Sequence, residues 1–228
     1  MKKILSLLSL TLLFNISANA DSLRHYEVSI TNATAHHVFT PTLIATHAAR
    51  ISLFKVGQPA SDGLVVQAET GNPTVFLSET QARDGVFDTV IGGFIPGGTT
   101  SSFMITARKK AHLSLTAMLA TTNDAFVALN NVSLPKKSVT YYANIYDAGS
   151  EANNEDCAFI PGPPCAEDSG NARATDGAEG FISIANGVHG HGDLSAQDLD
   201  WNNPGAIVSI TRIHGDDDED DEDDEDDD

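Results

Sequence analysis

Three acidic side chains carry the clearest chemistry in this sequence. Asp124 ends the polar stretch Thr122-Asn123-Asp124, and Asp147 and Glu151 bracket Asp147-Ala148-Gly149-Ser150-Glu151. Each stretch borders a β-rich run and is made of residues that favour turns. If the strands share a sheet and the two loops fall at one end, the three carboxylates converge. Clustered carboxylates repel, so a fold that gathers them usually supplies a cation. Their hard oxygens suit calcium (Ca2+), with loop carbonyls and water completing the shell. The competing reading makes Asp124 a turn cap and leaves Asp147 and Glu151 as solvated loop charges.

Other candidate groups are weaker. His189-Gly190-His191-Gly192-Asp193 has an H-x-H step that on a strand would put two imidazoles on one face. The flanking glycines argue for a turn, and no third nitrogen or sulfur ligand is placed. Thr46-His47 reads as a hydrogen-bonded structural histidine rather than a catalytic base. Asn32-Ala33-Thr34 and Asn131-Val132-Ser133 are formal glycosylation sequons, and neither is expected to be modified behind a bacterial-looking leader. G-x-S-x-G and H-E-x-x-H are absent, and no Cys-His arrangement is evident. Acid–base work by paired carboxylates, as in a glycan hydrolase, is the one enzymatic route left.

The elements that must position these groups are mostly strands. In His112–Ala120, Leu113, Leu115, Ala117 and Leu119 alternate with Ser114, Thr116 and Met118, a period of two with at least one buried face. Ser138–Tyr146 is a second β-rich run. His25–Thr31, Val86–Ile91, Ser101–Ala107 and Ala206–Ile213 read as further strands. Val38–Thr46, interrupted by Pro41, suits an edge or irregular strand. Two short helices are expected, over Leu64–Ala68 and from Asn72-Pro73 to about Gln81, the second with Asn72 as its cap. Short strands with frequent Gly and Pro predict an all-β antiparallel sandwich with these helices in its connections. Glu151–Gly180 is a long acidic excursion of the kind that is usually functional or mobile. Trp201 is expected to anchor the loop before the last strand.

The chain has 228 residues. Lys2 and Lys3, the apolar run Ile4–Phe14 and Ala18-Asn19-Ala20 have the order of a secretory signal peptide over residues 1–20, cleaved after Ala20. The apolar run is too short to span a bilayer, no Cys follows it to carry a lipid, and no later stretch reads as a transmembrane anchor. Secretion or a periplasmic location follows as an expectation. An oxidising compartment would pair Cys157 with Cys165. At the other end, Asp216–Asp228 is wholly acidic and expected to stay disordered. The formal net charge is −19; it becomes −6 without this tail and −8 once Lys2 and Lys3 are also removed. Nucleic acid is a poor partner for such a surface. Residues 21–215 are long enough for one well-cored domain.

Three blocks carry a resemblance. MLATTNDAFVALNNVSLP followed by YDAGSE, with ATHAARISLFKVGQPASDGL upstream and WNNPGAIVSITR downstream, resembles the spondin domain, the N-terminal module of F-spondin and mindin. The likeness runs from about Tyr26 to Arg212. It implies an extracellular β-sandwich that binds calcium and serves adhesion, and it does not imply an enzyme. Asp124 and Asp147 fall on matching motif positions, and Glu151 stands where the family has either acid. The partner stays open among protein, glycan and surface polymer. A purely structural envelope protein, in which the ion only holds loops together, is the remaining alternative.

Overall fold

The structure, a computed structural model, describes residues 23–165 and 172–213. Residues 1–20, read as a leader, and 216–228, read as a tail, lie outside the described residues. In chain order the elements are β1 (Arg24–Asn32), β2 (Leu43–His47), α1 (Asp62–Thr70), α2 (Thr74–Gln81), β3 (Val86–Ile91) and β4 (Thr100–Ala107). They continue with β5 (His112–Met118), β6 (Ala125–Ser133), β7 (Ser138–Asp147), β8 (Ser183–Ile184), α3 (Ala196–Leu199) and β9 (Ala206–Ile213). The fold is all-β and antiparallel, as the alternation predicts.

The strands run β3-β2-β5-β6-β7-β9-β1-β4, with β8 beside β7. Strand β7 serves two layers. Its first part, Ser138–Ala143, pairs with β9, and its end, Asn144–Asp147, pairs with β6. Bending there, the sheet turns back on itself until its two end strands meet. The Asp88 carboxylate on β3 accepts the Thr106 amide at 2.8 Å and the Thr106 hydroxyl at 2.7 Å, while the Thr46 hydroxyl donates to Thr106 O at 2.6 Å. Side chains thus close a seam that backbone pairing leaves open, giving a sandwich close to a barrel.

Inward-facing residues of both layers form the main core, including Val28, Ile30, Ile105, Leu113, Leu115, Val127, Ile145, Val208 and Ile210. Burying each aliphatic side chain contributes about 1.5–3 kcal/mol before entropy is counted. A second cluster, with Leu64, Phe76 and Phe126, lies under the helices. It explains why Ser114, Thr116 and Met118, the polar phase of β5, are buried as well. Helix α1 covers that face, and its buried Gln67 donates to Thr116 O at 3.0 Å and accepts the Thr116 hydroxyl at 2.7 Å.

Two sequence expectations change in detail. The run Val38–Thr46 is not an edge strand. Phe39 makes isolated bridges to Ile95 and Leu119, and the regular part, Leu43–His47, lies between β3 and β5. Pro41 precedes this part and costs the ladder nothing. In α2 the cap position falls on Pro73, but Asn72 Oδ1 still accepts the Thr74 amide at 3.0 Å. The expected capping bond therefore forms one residue earlier than the helix boundary suggests.

Candidate functional site

The register of β6 and β7 sets the site. Ala125 pairs with Asp147, so Asp124, just before β6, stands beside the end of β7. Ala148 N donates to Asp124 O at 3.2 Å and extends the ladder by one step. The chain then turns at Gly149, whose amide donates to Asp147 Oδ1 at 2.6 Å. Gly149 has φ 66°, and a Cβ there would lie 2.2 Å from Phe181 O, so both conformation and space demand glycine. That turn aims the next two amides at Asp124. Its Oδ2 accepts from Ser150 N at 2.7 Å, Ser150 Oγ at 3.1 Å and Glu151 N at 3.0 Å.

All three carboxylates are out of solvent: Asp124 is 0 %, Asp147 5 % and Glu151 1 % exposed. This rules out the reading of Asp147 and Glu151 as solvated loop charges. Burial, with the charge of Asp147 second, pushes Asp124 up to about 7 despite its three donors. Burial also raises Asp147, opposed by bonds from Asn153 and Gly149. Glu151 is pushed up to about 7, again by burial first; the Ala174 amide opposes the shift and the Glu69 charge adds to it. Among the described residues, two buried carboxylate oxygens have no hydrogen-bond partner, Asp124 Oδ1 and Glu151 Oε2. The Asn123 side-chain amide is bonded to Asn154 Oδ1 at 3.1 Å and also faces Glu151 closely enough to oppose its upward shift, without completing a hydrogen bond to Oε2.

The convergence is closer for two of the acids than for the third. Asp124 and Asp147 interact directly through their charges. The Glu151 carboxylate takes Ala174 N at 2.9 Å on Oε1 and faces Glu69, which is held by Arg173 through a 2.6 Å bond from Nε. Asp147 Oδ2 accepts from Asn153. Among the described residues, no group of three or more His, Cys, Asp or Glu side chains stands ready to hold a metal ion. An ion here would need backbone carbonyls or water beside the carboxylates.

The excursion after β7 is packed rather than loose in its described parts. Cys157 and Cys165 form the expected disulfide. Cys165 joins Ile160, Val188, Leu194 and Leu199 in a third small core. Thr121 Oγ1 donates to Pro163 O at 2.7 Å, and Glu155 N donates to Asn123 Oδ1 at 3.4 Å, so the excursion sits on the Asp124 loop. Buried His37 links the same region, its ring nitrogens 2.8 Å from Ala120 O and 2.6 Å from Leu199 O. Trp201 packs edge-on against His37 and so anchors its loop as expected.

The H-x-H step is a turn whose backbone does the binding. The amides of His189 and His191 donate to the Glu155 carboxylate at 2.5 and 2.7 Å. Burial alone would raise Glu155, but the amides of residues 189–192 outweigh it and hold the group below its ordinary value. The two imidazoles stack face to face outside. His47 is fully buried, with Nε2 2.8 Å from Ser114 Oγ and its pKa lowered by burial, as a structural histidine requires. Of the sequons, Asn32 is fully buried and donates to His37 O and Ile95 O, so its amide is committed to the fold.

Glu69, Glu155 and Arg173 went unmarked in the sequence. Glu155 and Arg173 lie in the excursion and Glu69 on α1, and only the long-range fold joins Glu69 to Arg173. The excess of acids around Glu151 was the one available signal. No helix among the described residues is long and apolar enough to cross a membrane.

No curated protein matches this chain. The family model Spondin_N matches residues 23–154, more than half of the sequence, and takes in Asp124, Asp147 and Glu151 together with the turn at Gly149. The match stops before the disulfide and before β9, yet β9 lies between β7 and β1 inside the sheet, so the folded unit continues past the matched segment. On the fold and this match, the chain belongs to the Spondin_N family.

Proposed function

We propose that this protein is an exported, calcium-binding adhesion module, with Asp124, Asp147 and Glu151 as the carboxylate ligands. The observation that carries the reading is the pair of buried, unbonded oxygens, Asp124 Oδ1 and Glu151 Oε2. A buried carboxylate oxygen without a donor is costly, and a divalent ion removes the cost for several oxygens at once. Three carboxylates against one Ca2+ leave about one net negative charge, which carbonyls and water accommodate without further acids. The ion's role would be to hold the β5–β6 loop, the Gly149 turn and the start of the excursion as one surface. Burial of the same acids weighs against the hydrolase alternative. A general acid must reach its substrate, and Asp124 and Glu151 are 0 % and 1 % exposed. The purely structural alternative shares the ion and differs in lacking a partner.

Calorimetric titration with calcium tests the site, on protein ended at Gly215 so that the acidic tail adds no uptake of its own. The expected result is one ion per chain, with a dissociation constant of ~0.1–1 mM for an extracellular module. Asp124→Asn and Asp147→Asn should lose it. No binding by the parent, or full binding by both variants, would remove the chemical basis of the reading.

A further inference from the structure

The outer face of the layer formed by β4, β1, β9 and β7 has a composition unlike the rest of this acidic chain. Register aligns its outward side chains in rows across four strands. One row is Thr140, Ser209, Ser29 and Ser102. The row beside it is Tyr142, Ile207, Thr31 and Thr100. The next row on the other side is Ser138, Thr211, Glu27 and Met104; Glu27 is the one carboxylate in these three rows, and Met104 is 53 % exposed. These rows hold no lysine or arginine.

The hydroxyls are already ordered. Ser29 Oγ and Ser102 Oγ lie 2.7 Å apart, Thr31 Oγ1 and Thr100 Oγ1 2.7 Å, and Thr140 Oγ1 and Ser209 Oγ 3.3 Å. The Thr31–Thr100 and Thr140–Ser209 pairs each spend one donor internally and leave one O–H and several lone pairs, while Ser29 also donates to Glu27 Oε1 at 3.3 Å and leaves its pair with lone pairs alone. Beside them Tyr142 is 65 % and Ile207 37 % exposed, a directly paired apolar step at the border of the hydroxyl field. The longer helices pack on β3, β5 and β6, on the opposite layer. Strand spacing of about 4.8 Å and a same-face repeat of about 6.8 Å make the three rows a patch roughly 14 Å on a side.

We propose that this face binds a neutral polysaccharide. The inference names the partner class within the adhesion reading, and it does not depend on the calcium ion. An uncharged chain of sugars matches the face in kind. Its hydroxyls exchange donors and acceptors with the ordered Ser and Thr pairs, and the apolar side of a sugar ring lies on Tyr142, whose ring is apolar and whose hydroxyl is polar. Short side chains held by cross-strand bonds lose little freedom on binding, so many weak contacts can add up. Other occupants fit worse. An anionic polymer meets no cation in these rows and a body whose net charge is negative. A second copy brings its own −19 charge, and Met104 stands in a separate row from Tyr142 and Ile207 rather than joining them in one apolar patch. Protein interfaces gather their energy on buried Trp, Tyr and Arg, of which the three rows have only Tyr142.

The test is depletion of the full chain from solution by insoluble polymers. Microcrystalline cellulose and mannan are the neutral probes, alginate gel the anionic probe and collagen-coated beads the protein probe. Retention is expected on at least one neutral polymer, equal with calcium and with chelator, and absent on alginate. Tyr142→Ser should weaken it about tenfold and Ser209→Glu should abolish it. Val56→Ser, an exposed apolar position outside these strands, should change nothing. Thr140→Ala, which keeps the strand and removes one hydroxyl, should weaken retention by a few-fold and covers the case in which Ser209→Glu fails to fold. No retention on either neutral polymer, retention unchanged in the face variants, or capture by collagen lost in the same variants would each overturn the proposal. Asp124→Asn separates the two readings: it should lose the calcium response and keep its retention on the polymer. Failure of retention alone leaves the ion site standing.

Discussion

Replacing Asp124 by Asn should stabilise the protein in chelator and abolish its response to calcium, two effects of opposite sign from one atom. At pH 8 Asp124 is mostly ionised, although burial and Asp147 raise it from 3.8 to about 7. A shift of that size costs the ion-free fold about 4 kcal/mol relative to a neutral side chain. Asn is such a side chain, and its Oδ1 can accept the Ser150 and Glu151 amides that Asp124 Oδ2 now takes. Its amide group then falls where Asp124 Oδ1 has no partner, and an unsatisfied buried amide costs about 1–3 kcal/mol. The net expectation is a gain of roughly 1–3 kcal/mol without calcium, or several degrees of melting temperature for a domain of this size. The parent, by contrast, should gain about 1.4–2.7 kcal/mol in 10 mM calcium, roughly ten- to a hundredfold above a dissociation constant of ~0.1–1 mM. Thermal melting of chains ended at Gly215, in chelator and in 10 mM calcium, gives all four values. The Asp124→Asn curve should start above the parent's and stay put while the parent's rises. A variant that melts below the parent in chelator would refute the electrostatic argument. One that keeps the parent's calcium shift would refute the ligand assignment.

Three further outcomes follow from the geometry. In chelator, stability should fall as pH rises from about 4 to about 7. Asp124 and Glu151 have native values near 7, above their ordinary 3.8 and 4.5, so the native state binds the extra protons in that window; urea midpoints at pH 5 and pH 8 measure the slope, and saturating calcium should reduce it. Reducing Cys157–Cys165 should cost at most ~2.5 kcal/mol, because the closed loop is short and holds Pro161, Pro163 and Pro164; hydrogen exchange should quicken around Val188 and Leu194 and leave the sheet unchanged. Glu155→Gln should cost about 2–3 kcal/mol, since the turn amides of His189 and His191 lose a charged acceptor; a melting temperature within a degree of the parent's would show that the turn holds itself.

Much of the fold was legible because period-two alternation is a local property. Tyr26, Val28 and Ile30 mark β1, and Val208 and Ile210 mark β9, whatever their partners. The burial of Ser114 and Thr116 was not legible, since it depends on α1 reaching back to β5. For the same reason Val38–Thr46 reads as an edge or irregular strand: Pro41 is visible locally, and the start at Phe39 is indeed irregular, whereas β3 and β5 flanking Leu43–His47 is a fact of topology. In the site, the turn residues Asn123, Gly149 and Ser150 announced two loops at strand ends. The β6–β7 register joins them because Asp124 and Asp147 flank the same ladder step. Glu151 was legible as a loop acid but not as a buried one, for its cover comes from Ala174 and from the Glu69–Arg173 pair far away in sequence.

The excursion is where chain length alone misleads. A segment that long reads as functional or mobile, and in its described parts Ile160 and Cys165 join Val188, Leu194 and Leu199 in a core of their own. What fixes it is polar. Asn123 reaches Asn154 and Glu155, Glu155 gathers the glycine-rich turn, and Thr121 takes Pro163. The contacts of Asn123 and Thr121 begin within three residues of Asp124, and Glu155 passes the first of them on to the turn. A cation bound at Asp124 would therefore be coupled to the excursion through the backbone of its own loop, and its removal should loosen the third core before it loosens the sheet. The pairings that build the neutral face, β4 with β1, β1 with β9 and β9 with the first part of β7, involve none of the three acids, although β7 itself ends at Asp147. Ion occupancy should therefore govern the loops at the end of the sandwich and leave the flat face as it is.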